Sequence, residues 1–270
     1  MGIITLTSDM GTKDYYVAAI KGAILSQLPK ARIVDISHDI KPFDTNHAAM
    51  VIRNCFFEFP KGSVHLIGVN PDATEDEPHL IVSYDGHYFV GADNGVFSLI
   101  FDKKPDSVVQ LNLPWESDNL TFPMRNLFVK AACHLIRGGT PEVIGKRTEG
   151  IRQAQRIHPL IEANVIKAHI IHIDEYGNLI SNCSMDLFKE VGKGREFIIR
   201  LPKVHYDIRK IHSHYNQVPA GEKVASFNSS GNLEIAINKG APQNGGGATN
   251  LLGVRLNDMI RIEFYASQNR

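Results

Sequence analysis

An apolar run at residues 3–6 stops in a small polar stretch, Thr7-Ser8-Asp9-Met10-Gly11-Thr12-Lys13-Asp14. It is followed by apolar residues at helical spacing, Val17, Ile20, Ile24 and Leu28. Buried strand, polar loop, amphipathic helix is the opening of an α/β unit. In such sheets small ligands sit in the loops beyond the carboxyl ends of the strands. Asp9 lies in that loop as a short carboxylate suited to accepting hydrogen bonds from sugar hydroxyls. Asp9 or Asp14 is equally suited to capping the helix that follows, and spacing alone does not separate the two roles.

The alternation continues through the first half of the chain. Strands are predicted at 32–36, 63–69 and 108–111, and helices over 46–57 and 128–136, the latter ending at Gly138-Gly139. Apolar runs at 80–84 and 88–92 flank Asp85-Gly86, a hairpin signal. The pattern predicts an α/β N-terminal domain with a mostly parallel sheet, residues 1–155. Residues 147–159 are polar and without period, and read as a connection. Strand-like runs then dominate, at 165–173, 196–201, 204–208, 224–227, 233–237 and 259–264, with one short helical segment at 185–189. They predict a smaller all-β, barrel-like C-terminal domain, residues 160–270. Gln243-Asn244-Gly245-Gly246-Gly247-Ala248 is the single low-complexity patch; it reads as a mobile surface loop, with a lid beside a ligand as the alternative.

Composition excludes some classes of function. Lys+Arg and Asp+Glu both number 29, which argues against nucleic acid or an anionic membrane surface as the main partner. No apolar run is long enough to span a bilayer and the N-terminus carries no secretory pattern. Cys55, Cys133 and Cys183 are odd in number and far apart, so neither a disulfide framework nor a zinc site is expected, and a reducing cytoplasm fits best. His212-Ser213-His214 reads as a surface feature, and no metal is expected.

Three polar clusters fall at predicted strand ends: Ser8-Asp9 with Asp14, Asp174-Glu175-Tyr176-Gly177-Asn178, and Asn228-Ser229-Ser230-Gly231-Asn232. Each alone could be a turn. Together they offer a carboxylate for a ribose, an aromatic ring to stack on a base, and an amide with the donor and acceptor that an adenine edge requires.

In these clusters, and in Ser8-Asp9-Met10-Gly11-Thr12, Val34-Asp35-Ile36-Ser37-His38, Ile40-Lys41-Pro42-Phe43, Tyr88-Phe89-Val90-Gly91-Ala92-Asp93-Asn94-Gly95 and Leu233-Glu234-Ile235-Ala236, the chain resembles the S-adenosylmethionine hydroxide adenosyltransferases (S-adenosylmethionine hydrolases) and the related fluorinases and chlorinases. The resemblance runs nearly end to end, in the family's motif order. It implies that Asp9 binds ribose, that Phe43, Phe122 and Met124 border the ligand, and that Tyr176 stacks on adenine while Asn178 reads its edge. Asp174 then holds the methionine ammonium, with Ser229 and Ser230 near the methionine carboxylate. It further implies a homotrimer with sites between the N-terminal domain of one subunit and the C-terminal domain of the next. No cofactor is implied beyond S-adenosylmethionine as substrate. The implied chemistry is substitution at ribose C5′ by water, with neutral methionine leaving, so the site must supply an aligned, desolvated nucleophile about 3–3.5 Å from the carbon.

The chain departs from the family at the water-handling trio. Asn70 stands where an Asp is expected, Glu77 near the place of an Arg, and Pro123 at the place of a His. Asn70 can orient a water but cannot take its proton, Pro123 has no side-chain donor or acceptor, and Glu77 would reverse the local charge. Met124 would also fill the space in which halogenating relatives hold a halide. Slow hydrolysis, binding of S-adenosylmethionine or adenosine without turnover, and a different nucleoside-processing activity therefore remain as expectations.

Overall fold

The computed structural model describes residues 2–113, 121–203 and 207–265. The chain divides into two compact units, residues 1–155 and 156–270.

The first unit is built on a seven-stranded sheet. In chain order it contains β1 (Ile3–Ser8), α1 (Tyr16–Gln27), β2 (Arg32–Ser37), α2 (Thr45–Arg53), β3 (Val64–Gly68), β4 (His79–Tyr84), β5 (His87–Ala92), α3 (Val96–Ile100), β6 (Ser107–Leu111), a π-type turn (Met124–Phe128) leading into α4 (Val129–Ile136), and β7 (Gly145–Arg147). The strand order is β2-β1-β3-β5-β4-β6-β7. The pairs β1–β2, β1–β3 and β3–β5 are parallel; β4–β5, β4–β6 and β6–β7 are antiparallel. The sheet is therefore mixed, which corrects the mostly parallel expectation. The cause lies in β4: its apolar run is buried on both sheet faces, so nothing in its pattern reveals direction. The Asp85-Gly86 turn does: both residues have positive φ, +47° and +77°, the backbone a tight two-residue hairpin requires.

Side chains alternate between two cores. Ile4, Leu6, Val64, Leu66, Ile81 and Val90 pack with Ile20 and Ile24 of α1 and with α4. Ile67, Leu80, Val82 and Phe89 pack on the other face with Ala49 and Ile52 of α2 and Phe97 of α3. Each fully buried Leu, Ile or Phe contributes about 1.5–3 kcal/mol. A polar line crosses this interior: Thr5 Oγ1 lies 2.8 Å from His65 Nδ1, and His65 Nε2 lies 3.2 Å from His87 Nδ1. Burial, with His87 beside it, lowers the His65 pKa to about 3, so this imidazole is neutral and stacks on Phe89 at 4.7 Å.

The second unit contains β8 (Leu160–Glu162), β9 (Val165–Ile173), β10 (Leu179–Ser184), α5 (Met185–Gly192), β11 (Glu196–Arg200), β12 (Lys223–Phe227), β13 (Asn232–Ile237), α6 (Ala248–Leu252) and β14 (Met259–Tyr265). The order is β11-β14-β9-β10-β13-β12, antiparallel throughout, with β8 also on β9. The sheet curls around a core of Ile166, Ile170, Leu179, Leu233, Ile235, Ile260 and Ile262. Single bridges from Ile208 to Ile199 of β11 and from Ile211 to Ala225 of β12 reach both edge strands. The strand predicted at 204–208 falls partly on residues 204–206, outside the described residues. α5 runs three residues past its predicted end and is started by Ser184, whose hydroxyl accepts from Leu187 N–H. Among the described residues no helix is long and apolar enough to cross a membrane.

Candidate functional site

In the first unit the site forms where parallel β1 and β3 end side by side. Asp9 follows the last residue of β1 and is half-buried. It does not cap α1, whose first turn has no side-chain cap; the cap of α2 is Asp44, which accepts from His47 N–H. Instead, Asp9 Oδ2 accepts from Phe43 N–H at 2.9 Å and, more weakly, from Asn70 N–H at 3.4 Å. Oδ1 has no protein partner among the described residues. Both donors lie in left-handed backbone, Phe43 at φ +63° and Asn70 at φ +44°. Such non-glycine conformations cost about 1–3 kcal/mol each and concentrate at functional sites. Phe43 is also 74% exposed, an aromatic ring left against solvent beside a carboxylate.

Asn94 holds the second donor in place. Its Nδ2 donates to the carbonyls of Val69 and Asn70 at 3.1 and 2.9 Å, and its Oδ1 accepts from Val96 N–H. Glu77 lies further along the same loop and is ion-paired with Arg152, whose backbone N–H donates to both oxygens of Asp93 at 2.9 and 3.0 Å. Burial raises the Asp93 pKa, opposed by the Arg152 contact. The charge that Glu77 brings is thus offset by Arg152, which lies in the polar, aperiodic connection at 147–159. Pro123 is buried, and Phe122 meets Tyr16 edge-on at 5.5 Å. Met124 is fully buried in the core and lies against Gly68, where an added Cβ would meet its sulfur at 2.2 Å. Its thioether packs the end of β3.

The second unit presents its own group of residues. The turn after β9 is organised by Asp174: Oδ1 accepts from Tyr176 N–H and Asn178 N–H at 2.9 and 2.8 Å, and Oδ2 accepts from Asn178 Nδ2 at 2.9 Å. This is the hydrogen bonding by which Asp stabilises a turn. Asn178 itself is buried, 7% exposed, whereas Tyr176 is 66% exposed. Residues 243–245 lie on the surface, as composition suggests, while Gly247 and Ala248 are buried. Thr249 N–H donates to Gly177 O at 3.0 Å, and an added Cβ on Gly247 would meet Tyr176 O at 3.0 Å. Gly247 serves close packing against the Tyr176–Asn178 turn. Ser229 and Ser230 are exposed in a turn held by Asn228 Oδ1, which accepts from Ser230 N–H and Asn232 N–H at 3.1 Å each. Neighbouring Glu234 is buried and accepts from the Tyr215 hydroxyl; burial raises its pKa, as does nearby Asp174. Among the described residues no group of three or more His, Cys, Asp or Glu could hold a metal.

These two sets of residues lie within the segments that match known proteins. The family model for the SAM hydroxide adenosyltransferase N-terminal domain matches residues 4–145, and that for the C-terminal domain matches residues 168–261. The chain is 31% identical over 192 residues to the (R)-S-adenosyl-L-methionine hydrolase of Methanocaldococcus jannaschii, covering 69% of this chain and 68% of that one. It is 29% identical over 263 residues to the protein of the same name from Thermus thermophilus, covering 92% and 97%. An uncharacterized conserved protein from Thermotoga maritima has the same fold, with a TM-score of 0.84 at 25% identity over 97% of this chain and 99% of that one. With both family domains matched in order over most of its length, the chain belongs to the SAM hydroxide adenosyltransferase family.

Proposed function

We propose that this protein hydrolyses S-adenosylmethionine: water attacks ribose C5′ as the C5′–sulfur bond breaks, L-methionine leaves, the water's surplus proton passes to solvent, and adenosine is released. The observation that carries this reading is the Asp9 carboxylate. One oxygen is fixed by two backbone N–H groups in left-handed conformation and the other is free, at the carboxyl end of a parallel strand, where α/β sheets hold ligands. A preset acceptor of this kind suits a pair of ribose hydroxyls. The hydrolase name of the relatives from Methanocaldococcus and Thermus supports the reaction. Methionine departs uncharged from a sulfonium, so no general acid is required. The site's task is to align and desolvate the water. Asn70 orients that water without taking its proton, so turnover is slow. Tyr176, Asn178, Asp174, Ser229 and Ser230 grip adenine and methionine, with Phe43 and Phe122 as apolar walls. The reading includes a homotrimer in which half-sites of neighbouring subunits share one ligand, and no cofactor besides the substrate.

A second reading, S-adenosylmethionine or adenosine binding without turnover, is favoured by one feature. Among Asn70, Glu77 and Pro123, no side chain is both free and able to accept a proton: the first is an amide, the second is paired with Arg152, the third is a buried imino acid. The test is incubation of S-adenosylmethionine with stoichiometric protein, followed by chromatography. Adenosine and methionine in equal amounts are expected. Saturable binding without adenosine would select the second reading, and neither binding nor product would reject both.

A further inference from the structure

We propose that Ser8 and His38, hydrogen-bonded to each other, and Asp35 beside the outer ring nitrogen of His38 form a brace that aims the free oxygen of Asp9, making them positioning residues for the nucleoside. The inference rests on the reading of Asp9 as the ribose carboxylate.

Ser8 is fully buried and His38 nearly so. Ser8 Oγ is hydrogen-bonded to His38 Nδ1 at 2.7 Å; His38 Nε2 lies 3.2 Å from Asp35 Oδ1, close enough for electrostatic attraction but not aligned as a hydrogen bond. Asp35 Oδ2 in turn receives Lys21 Nζ at 2.5 Å. Burial works against the Asp35 charge, but Lys21 and His38 beside it outweigh burial and hold the carboxyl below its usual range. The negative charge of Asp35 thus faces the outer edge of the His38 ring while its inner nitrogen is engaged by Ser8.

The same His38 carbonyl accepts from Gly11 N–H at 2.8 Å, and Ile40 N–H reaches Ser8 O at 3.4 Å. Residues 8 and 11, on either side of Asp9, are therefore both tied to residues 38–40. Three residues further on is Phe43, which donates to Asp9 itself. The parallel ladder of β1 and β2 is already formed over Ile3–Thr7, with its register shift between Leu6 and Thr7. The brace begins where that ladder ends, so strand pairing does not require it. A buried hydroxyl and imidazole bonded to each other could be exchanged for an apolar pair at little cost to folding. What such an exchange loses is the direction of the loop between them.

The test measures adenosine affinity of the full chain by calorimetry, beside thermal melts. Ser8→Ala is expected to weaken adenosine binding about tenfold, the value of one directed hydrogen bond. His38→Asn, which keeps a hydrogen-bonding partner for Ser8, is expected to recover part of the affinity that His38→Ala loses. The double variant Ser8→Ala/His38→Leu is expected to regain melting temperature without regaining affinity, a split that a merely structural role would not give. Asp35 is partly exposed, so Asp35→Ala keeps the question answerable if the buried variants fail to fold; about a threefold loss is expected. If Ser8→Ala and Asp35→Ala bind adenosine within about twofold of the parent while Asp9→Ala does not, the brace is overturned and the reading of Asp9 stands. If Asp9→Ala itself binds unchanged, the reading of the site fails instead.

Discussion

Replacing Asp9 with Ala is expected to weaken adenosine binding by about 30- to 100-fold, because a hydrogen bond to a charged group contributes about 1.5–3 kcal/mol and the ligand loses at least one. The change also removes the acceptor for Phe43 N–H and Asn70 N–H. Both residues sit in left-handed backbone that this carboxylate helps to hold, so the walls of the site relax together with its floor. Asp9→Asn keeps one acceptor oxygen and is expected to fall between parent and Ala. Calorimetric titration with adenosine reads the effect, and a thermal melt establishes that the variant is folded. Unchanged affinity in a folded Asp9→Ala protein would remove this residue from the site.

Gly240→Ala is expected to destabilise the second unit by about 2–4 kcal/mol, the range for forcing atoms into a packed site that cannot yield. An added Cβ at Gly240 would meet the carbonyl oxygen of Gly246 at 2.0 Å and Ile237 Cβ at 2.8 Å. The closer obstacle is main chain, not the end of a flexible side chain. The stretch that must move is the one packed against Gly177, so the Tyr176–Asn178 turn is expected to loosen with it. Gly22→Ala is the contrast: Gly22 lies on the exposed face of α1 with nothing within 4 Å of the added atom, and a gain of about 0.5–1 kcal/mol is expected from helix propensity. Urea denaturation midpoints separate the two; a Gly240→Ala protein as stable as the parent would contradict the packing described for this loop.

What could be read from residues alone followed from local chemistry. The first strand, loop and helix, the Asp85-Gly86 hairpin and the Asp174–Asn178 turn all depend on groups a few positions apart, so their patterns are visible in the sequence. The apolar run of β4 does not show direction, because a strand buried on both faces looks alike either way; only its turn reveals that it runs against β5, and its antiparallel pairing with β6 has no local signal. The glycines at 245–247 suggested mobility, whereas at least Gly247 serves a close approach of two backbones. Glu77 looked like an unopposed charge because its partner, Arg152, is 75 residues away in a stretch without period. Asn94 was visible within a motif, but its grip on the carbonyls of Val69 and Asn70 has no signature in spacing. The two backbone donors to Asp9 carry none either: a main-chain N–H belongs to nearly every residue, and only the fold selects Phe43 and Asn70.

Where the oxygen of water ends up tests hydrolysis at C5′ most directly. With S-adenosylmethionine, stoichiometric protein and water enriched in the heavy oxygen isotope, mass spectrometry of the products is expected to show adenosine carrying one heavy oxygen at C5′ and methionine carrying none. Absence of adenosine, or products cleaved on the methionine side of the sulfonium, would contradict it.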